Sequence, residues 1–515
     1  MIENWLFNQI DYLLFIYGIA FFMLAIFSFR LLLAHRDDAP AWGFLVAFGC
    51  MHGLKEWVDI CRGVYSQCGC GNLLHVLLAG LSFLALFEFG RRSLQRQTGK
   101  SIPGWAGVAL VLSGFAGGIF DFATAKTAFR YALIFPGALL AGWALLNEMR
   151  RVSPLMRPGY QLALLAILFY GLTAGQACSL VSISGQAVYG NGVNSPVAAL
   201  AVKLLIFLLI LAVPWYHLRS FSHSSQDIRQ RLARFLVPVF LLLLLVTGWF
   251  AAEWRGRAVD SNFRQETMRL GISIAQALNA DRIKALSFTA ADEQNPVFTR
   301  VSEQMRAFGK HYPSLRGIYT VAKRDSVLVF GPENYDKTDP LSSPVGTVYE
   351  NPHPALKGVF DDGVPIVVGP YSDEYGVFVS AFVPVLDPAT GEILIVVGID
   401  VLGSDWESLV KSARLTAIVV NMLLFLFAMF SLLLLIWRET CPMQYSLRLL
   451  THTETFITLV FGVLISLVTA GLVHEAELDT KRTEFRWIAD AKSHLLVSTF
   501  GQFRKDLEQV AGLLG

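Results

Sequence analysis

The sequence predicts an α-helical membrane protein of about ten transmembrane helices, with an α+β domain built on an antiparallel sheet inserted outside the membrane. Three observations predict it. Of 515 residues, 54% are hydrophobic and only 16% charged, whereas a soluble domain carries about a quarter charged residues. Apolar runs of the length a bilayer core requires, about 20 residues per helix, recur along most of the chain. One interval, residues 253–412, abandons that pattern for amphipathic and alternating sequence.

In chain order the apolar runs are residues 12–34, 41–60, 73–90, 105–122, 131–146, 160–181, 197–215, 235–252, 415–437 and 456–473. The second contains charges and the fifth is short, yet a consistent topology needs both. The start carries Glu3 and no basic cluster, so the first run reads as a retained anchor and not a cleaved signal peptide.

Basic residues in short loops stay on the cytoplasmic side. One set of alternate loops holds Arg36, the group from Arg91 to Lys100, Arg150, Arg151, Arg157, the group from Arg219 to Arg234, Arg438 and Arg448. The opposite set offers Arg62 and Lys126, with Arg130 at a boundary. The amino terminus and residues 253–412 are therefore expected on the periplasmic or extracellular face of the membrane. A net charge of +2 gives no reason to expect nucleic acid as a partner.

This divides the chain into a seven-helix region (1–220), a linker with the eighth span (221–252), the inserted domain (253–412) and the ninth span (413–437). A cytoplasmic linker (438–455), the tenth span (456–473) and an outer segment (474–515) complete it. The 16 or so residues after Trp437 are too few for a catalytic core. No nucleophile–base pair, phosphate-cradling glycine loop or phosphoacceptor box stands in a cytoplasmic segment, so no catalysis and no cofactor are expected of this chain.

Within the second run, "MHGLKEWVDI" places His52 and Glu56, and also Lys55 and Asp59, four residues apart on one helical face. Ionisable groups in a membrane helix are costly and are usually paired or functional. One reading gathers His52, Glu56, Cys61, Cys68, Cys70 and His75 into a metal or redox site, since thiolate and imidazole suit copper or zinc. The other makes Lys55–Asp59 an interfacial ion pair and joins Cys61 to Cys68 or Cys70 in a structural disulfide. The spacing lacks the second ligand pair of a strong zinc signature, so no metal is assigned.

In the insert, Leu270, Ile274, Ala277 and Leu278 recur at helical spacing, which predicts a long helix growing out of the eighth span. A second helix is expected over 298–308. Strands follow at 315–321, 326–330, 364–368, 375–385 and 392–399, with a turn at 387–391. Helices do not alternate with these strands, so the sheet is expected to be antiparallel.

The segments "SLRGIYTV" and "GPYSDEYGVFVSAFVPVLDPATGEILIVVGIDV", after that long helix, resemble a Cache domain, a PAS-like extracytoplasmic sensor of bacterial receptors. The resemblance implies a small-molecule pocket on the concave face of the sheet, lidded by helices and a loop. Its candidate residues are Arg316, Tyr319, Tyr371, Asp373, Tyr375, Ser380 and Asp400. Arg316 would clamp a carboxylate, and a tyrosine wall with Asp373 or Asp400 would hold an ammonium, so the ligand class is an amino acid or an organic acid. The bland alternatives are that Asp373 shapes a turn, Ser380 satisfies backbone groups and Asp400 caps the return to the membrane. Unlike the better-defined amine-binding version, the chain holds one sensor lobe and lacks the full aromatic motif.

"DYLLFIYGIAFFMLA" followed by "MHGLKEWVDI" resembles the multi-helix amino-terminal sensor regions of bacterial histidine kinases and diguanylate cyclases. The last 40 or so residues, from "EAELDTKRTEF" onward, are similar to the opening helix of CHASE domains, whose members continue much further. The expectation is a fragment of a longer receptor, or a truncated product, that forms a homodimer by family precedent. It would be the sensory input region of a two-component or cyclic-di-GMP receptor. The alternative is a solute transporter or channel with an extracellular binding domain, although no repeat and no pair of interrupted half-helices stands out in residues 1–220.

Overall fold

The computed structural model describes residues 9–34, 39–64, 69–117, 133–176 and 228–440, apart from positions 101, 153, 155, 156, 325, 326 and 337, with a few single residues elsewhere. The seventh and tenth expected spans and the outer tail fall almost wholly outside the described residues. The chain divides into two units, Met1–Met422 and Leu423–Gly515, and every contact discussed below lies within the first.

The amino-terminal part is helical: α1 (Ile10–Ala34), α2 (Ala39–Val64), α3 (Gly69–Thr98), α4 (Trp105–Gly117), α5 (Phe135–Arg151) and α6 (Arg157–Gln176). Large and small side chains share one buried core between them, which includes Phe21, Leu24, Phe48, Leu86, Phe89 and Tyr160 together with Ala138 and Ala141. Helices α1 and α2 approach through small residues, as helices in an apolar solvent do. A Cβ on Gly53 would stand 3.0 Å from the Gly18 carbonyl, and one on Gly18 would meet the Trp57 indole.

Among the described residues four helices are long and apolar enough to cross a membrane: Ile10–Leu33, Leu73–Thr98, Val239–Ala277 and Gly403–Leu434. The expected second, fourth, fifth and sixth spans are helical as well, as α2, α4, α5 and α6, but they fall outside that set. Lys55, Glu56, Asp59 and Arg62 crowd the last three turns of α2, and α5 has only 17 residues.

The expected eighth span and the helix growing from it are one element, α7 (Ile228–Ala277). At 1.5 Å per residue its 50 residues extend about 75 Å, so its apolar half and its sheet-packing half form a continuous rod. Short α8 (Ala280–Lys284), a 3₁₀ turn (Ala290–Gln294) and α9 (Pro296–His311) follow. Helix α9 starts where Asn295 accepts from the Val297 N–H and Pro296 takes the first turn.

Five strands complete the insert: β1 (Gly317–Arg324), β2 (Val327–Glu333), β3 (Ile366–Asp373), β4 (Gly376–Leu386) and β5 (Ile393–Leu402). They form one antiparallel sheet in the order β2-β1-β5-β4-β3. Two hairpins flank β5, which enters the middle last and passes at Gly403 straight into α11 (Gly403–Thr440).

Alternation along these strands sends residues to two buried faces. Ile318, Ala322, Val383, Val385, Val397 and Ile399 pack with α7, α8 and α9. Tyr319, Val321, Phe382 and Val396 face the other way, under Tyr349 and α10 (Pro354–Asp362).

All five expected strands are present, their ends displaced by one to three residues except at β3. Strand β3 continues past its expected end at 368 to Asp373, through a register shift between Val368 and Tyr371 that takes in Gly369 and Pro370. A bulge lets the strand carry a proline. Helix α10 was not expected from the sequence; His353 accepts from the Ala355 N–H at its start and Gly363, at φ 69°, ends it.

Candidate functional site

The face under Tyr349 and α10 holds six of the seven candidate residues in two hydrogen-bonded groups that share an aromatic wall. Register explains the first group. Ser380 on β4 and Asp400 on β5 are direct cross-strand partners, and Tyr319 on β1 lies opposite Gly398 on β5. The Ser380 hydroxyl donates to Asp400 Oδ1 at 2.6 Å, and the Tyr319 hydroxyl donates to the same oxygen at 3.3 Å. Tyr371, carried inward by the far half of β3, hydrogen-bonds Ser380 Oγ at 3.0 Å.

The second group centres on Asp373. Its Oδ2 accepts from the Tyr349 hydroxyl at 2.8 Å, while Oδ1 takes the backbone N–H groups of Tyr375 and Gly376. The turn-shaping role expected of this residue is therefore real, and it leaves the other oxygen facing the tyrosines. Tyr375 hydrogen-bonds Ser343 at 2.8 Å, and Ser342 and Ser343 both donate to Glu333. The Phe330 ring packs against Tyr319, Tyr349 and Tyr375, with centroids 4.7–5.8 Å apart, and His353 lies 4.8 Å from Tyr371.

Arg316 stands apart. Its guanidinium forks onto both oxygens of Asp339, at 3.1 and 3.3 Å, and lies over the Tyr335 ring. In this arrangement the carboxylate it clamps belongs to the protein. Tyr335 links the two places, because its hydroxyl closes on Gly317, the β1 partner of Asp400.

The electrostatics follow from burial. Asp400 is 6% exposed; loss of water pushes its carboxyl up to about 7, against the pull of the Ser380 hydrogen bond. Burial likewise pushes Glu333 up to about 7. The Tyr319, Tyr349 and Tyr371 phenols are raised well above their ordinary range, first by burial and then by neighbouring acids and phenols, and stay protonated as donors. Among the described residues, every side chain that donates to Asp400, Asp373 or Glu333 is neutral. Acidic oxygens behind aromatic faces suit a cation that gives hydrogen bonds.

Gly398 is the structural condition for this site. A Cβ there would collide with the Tyr319 ring. Gly398→Ala is expected to drive the ring off the sheet and to cost about 1–3 kcal/mol, read as a lower thermal midpoint of the detergent-solubilised chain. An unchanged midpoint would show that the ring has room.

The α2 candidates are arranged differently. His52 is buried among Phe21, Phe48 and Tyr170, with Nε2 3.0 Å from the Tyr170 hydroxyl, Nδ1 3.2 Å from Ser82 Oγ and Glu56 at 3.5 Å. Lys55 bridges Glu56 and Asp59 at 2.9 Å each, and Asp59 also holds Arg62 and His75. His52 and His75 thus serve separate carboxylates, and the expected Lys55–Asp59 pair is part of a longer ion chain. Cys61 is a free thiol, so the disulfide expected for it is not formed; Cys68 and the Cys70 side chain lie outside the described residues. Among the described residues no three His, Cys, Asp or Glu side chains are grouped to hold a metal ion.

Tyr349, Glu333, Ser343 and Tyr335 were missed in the sequence. Three of them lie in the connection 334–353, which has no periodicity to place a side chain, and Glu333 immediately precedes it. Tyr349 has one local cue, an isolated bridge between neighbouring Val348 and Val329 of β2, visible only once the chain is folded. No protein-family model, curated protein or solved structure matches the chain.

Proposed function

We propose that this chain is the sensory input region of a bacterial transmembrane receptor. Its 253–412 insert acts as a Cache-like, PAS-like sensor on the periplasmic or extracellular side, and ten helices span the membrane. Dimerisation and an effector of the histidine kinase or diguanylate cyclase type belong to the same reading. The ligand is a small molecule bearing an ammonium group, an amine or amino acid, held by Asp400 and Asp373 between the tyrosines.

One observation carries the proposal: Asp400, the centre of the cluster, lies three residues before Gly403, where β5 becomes α11. A ligand that pulls on Asp400 pulls on a helix apolar enough to cross a membrane. On the opposite face of β4 and β5 packs α7, another such helix. The ligand shifts the helices only by its differential affinity for their two arrangements, and usable coupling is about 1–3 kcal/mol.

The test is a thermal-shift screen of the detergent-solubilised chain against amines, amino acids and carboxylates lacking nitrogen. An ammonium compound is expected to raise the midpoint, and Asp373→Asn to weaken that compound at least about tenfold, the loss of one charge-assisted contact. Stabilisation by plain carboxylates and not by amines would overturn the ammonium assignment. No response to any class would overturn the sensor reading.

A further inference from the structure

A second buried cluster lies away from the sheet, where three elements distant in sequence meet around one guanidinium. Arg414, on α11, is 5% exposed. Its Nε and Nη2 donate to the two oxygens of Asp11, on the first turn of α1, at 2.7 and 2.8 Å. Its Nη1 donates to Glu253 of α7 at 2.8 Å, and Nη2 also reaches Gln9 Oε1 at 3.0 Å.

The partners are tied to each other as well. Gln9 Nε2 donates to Glu253 at 2.9 Å, and Trp249 Nε1 donates to Gln9 Oε1 at 3.0 Å. One turn further along, the Tyr12 hydroxyl donates to the Leu245 carbonyl and accepts from Asn421 Nδ2 at 3.1 Å. Gly256 leaves room for the Arg414 stem, since a Cβ there would lie 2.9 Å from Cγ.

We propose that the start of α1 is the docking partner of the α7–α11 pair, and that this Arg414 junction couples the inserted sheet domain to the α1–α6 bundle. Three physical points support it. A planar guanidinium satisfied on two carboxylates has a fixed geometry, and its hydrogen bonds need separations of about 2.7–3.2 Å and weaken steeply once the donor angle falls below about 120°. A slide or rotation of α11 by a helical fraction therefore either breaks the fork or takes α1 with it. Arg414 is 11 residues past Gly403, about 17 Å along the helix at 1.5 Å per residue, so the junction lies on the direct path from Asp400.

The coupling does not depend on what the sheet face binds. It makes α1–α6 a participant in the response of the insert, in either direction, because coupling free energy is reciprocal.

Hydrogen exchange read by mass spectrometry on the full chain in detergent tests it. Asp11→Asn weakens the fork from the α1 side. Exchange is expected to change about 5- to 150-fold, the range of typical couplings, in peptides covering β5 and the first turns of α11, far from the substitution. In an Arg414→Gln background the same Asp11→Asn change is expected to have no further effect on those peptides. Should the Asp11→Asn chain fail to fold, Arg414→Lys, which keeps the charge and loses the fork, replaces it with the same expectation, and Gln9→Ala serves as the second member of the cycle. Changes confined to residues within one turn of the junction, or effects that add independently, would overturn the proposal and leave a local clasp. A chain that shows the coupling and binds no amine would refute the ligand reading alone.

Discussion

Lys55→Met is expected to destabilise the helical bundle by about 3–5 kcal/mol, the usual consequence of deleting one member of a buried ion pair. Lys55 bridges Glu56 Oε1 and Asp59 Oδ2 at 2.9 Å each, and the Glu56 side chain is only 5% exposed. Asp59 retains Arg62 and His75 at 2.8 and 2.7 Å, so the damage falls chiefly on Glu56, whose imidazole neighbour His52 stands at 3.5 Å. The loss is read from the thermal midpoint in detergent, followed by tryptophan fluorescence in a chain that keeps Trp57 and has its other tryptophans replaced by Phe; Trp57 lies on the same helix and hydrogen-bonds the Phe15 carbonyl of α1. Adding Glu56→Gln is expected to recover part of the loss, because removing both charges costs less than stranding one. If the double variant is no better than the single one, the ion chain contributes through packing and not through charge.

How far the fold was legible follows from which residues carry periodic signals. Runs of β-forming residues between turn signals identified the strands, whereas Tyr319, Ser380 and Asp400 were grouped in sequence only by the resemblance to a Cache domain. That they share one face follows from the register of β1, β4 and β5, which no single strand encodes. The continuation of β3 past Gly369–Pro370 was not legible, because a bulge defeats the rule that proline ends a strand. Arg316 lies just before β1, where its direction depends on a loop whose Asp339 has no periodic position. The polar face of α2 was visible as four ionisable residues at i and i+4, whereas the closure of their chain by His75 and Tyr170 required the packing of three helices. The Arg414 junction was the least legible of all. Gln9, Asp11, Glu253 and Arg414 each read in sequence as a polar residue at the end of an apolar run, and which ends meet is a property of helix packing.

Stability of the inserted domain is expected to fall as pH rises from about 4 to about 7, with Asp400 the principal cause. Its ordinary value is 3.8 and its folded value about 7, so the folded state binds this proton more tightly than the unfolded chain does. The stabilising contribution is therefore complete below the unfolded value and is lost as pH rises through the folded one. A shift of that size corresponds to about 4 kcal/mol at 1.36 kcal/mol per unit. Glu333, also raised to about 7, acts with the same sign. Asp400→Asn keeps an acceptor for Ser380 and Tyr319 and removes the ionisation. It is expected to leave stability at pH 4 nearly unchanged and to raise it by several kcal/mol at pH 8, read as the thermal midpoint of the full chain against pH. A variant whose profile parallels the wild type would place the titration elsewhere. The same ionisation that weakens the empty fold above pH 7 is what a cationic ligand would relieve. An ammonium compound that stabilises the wild type is thus expected to do so more strongly at pH 8 than at pH 5, and Asp400→Asn is expected to abolish that difference.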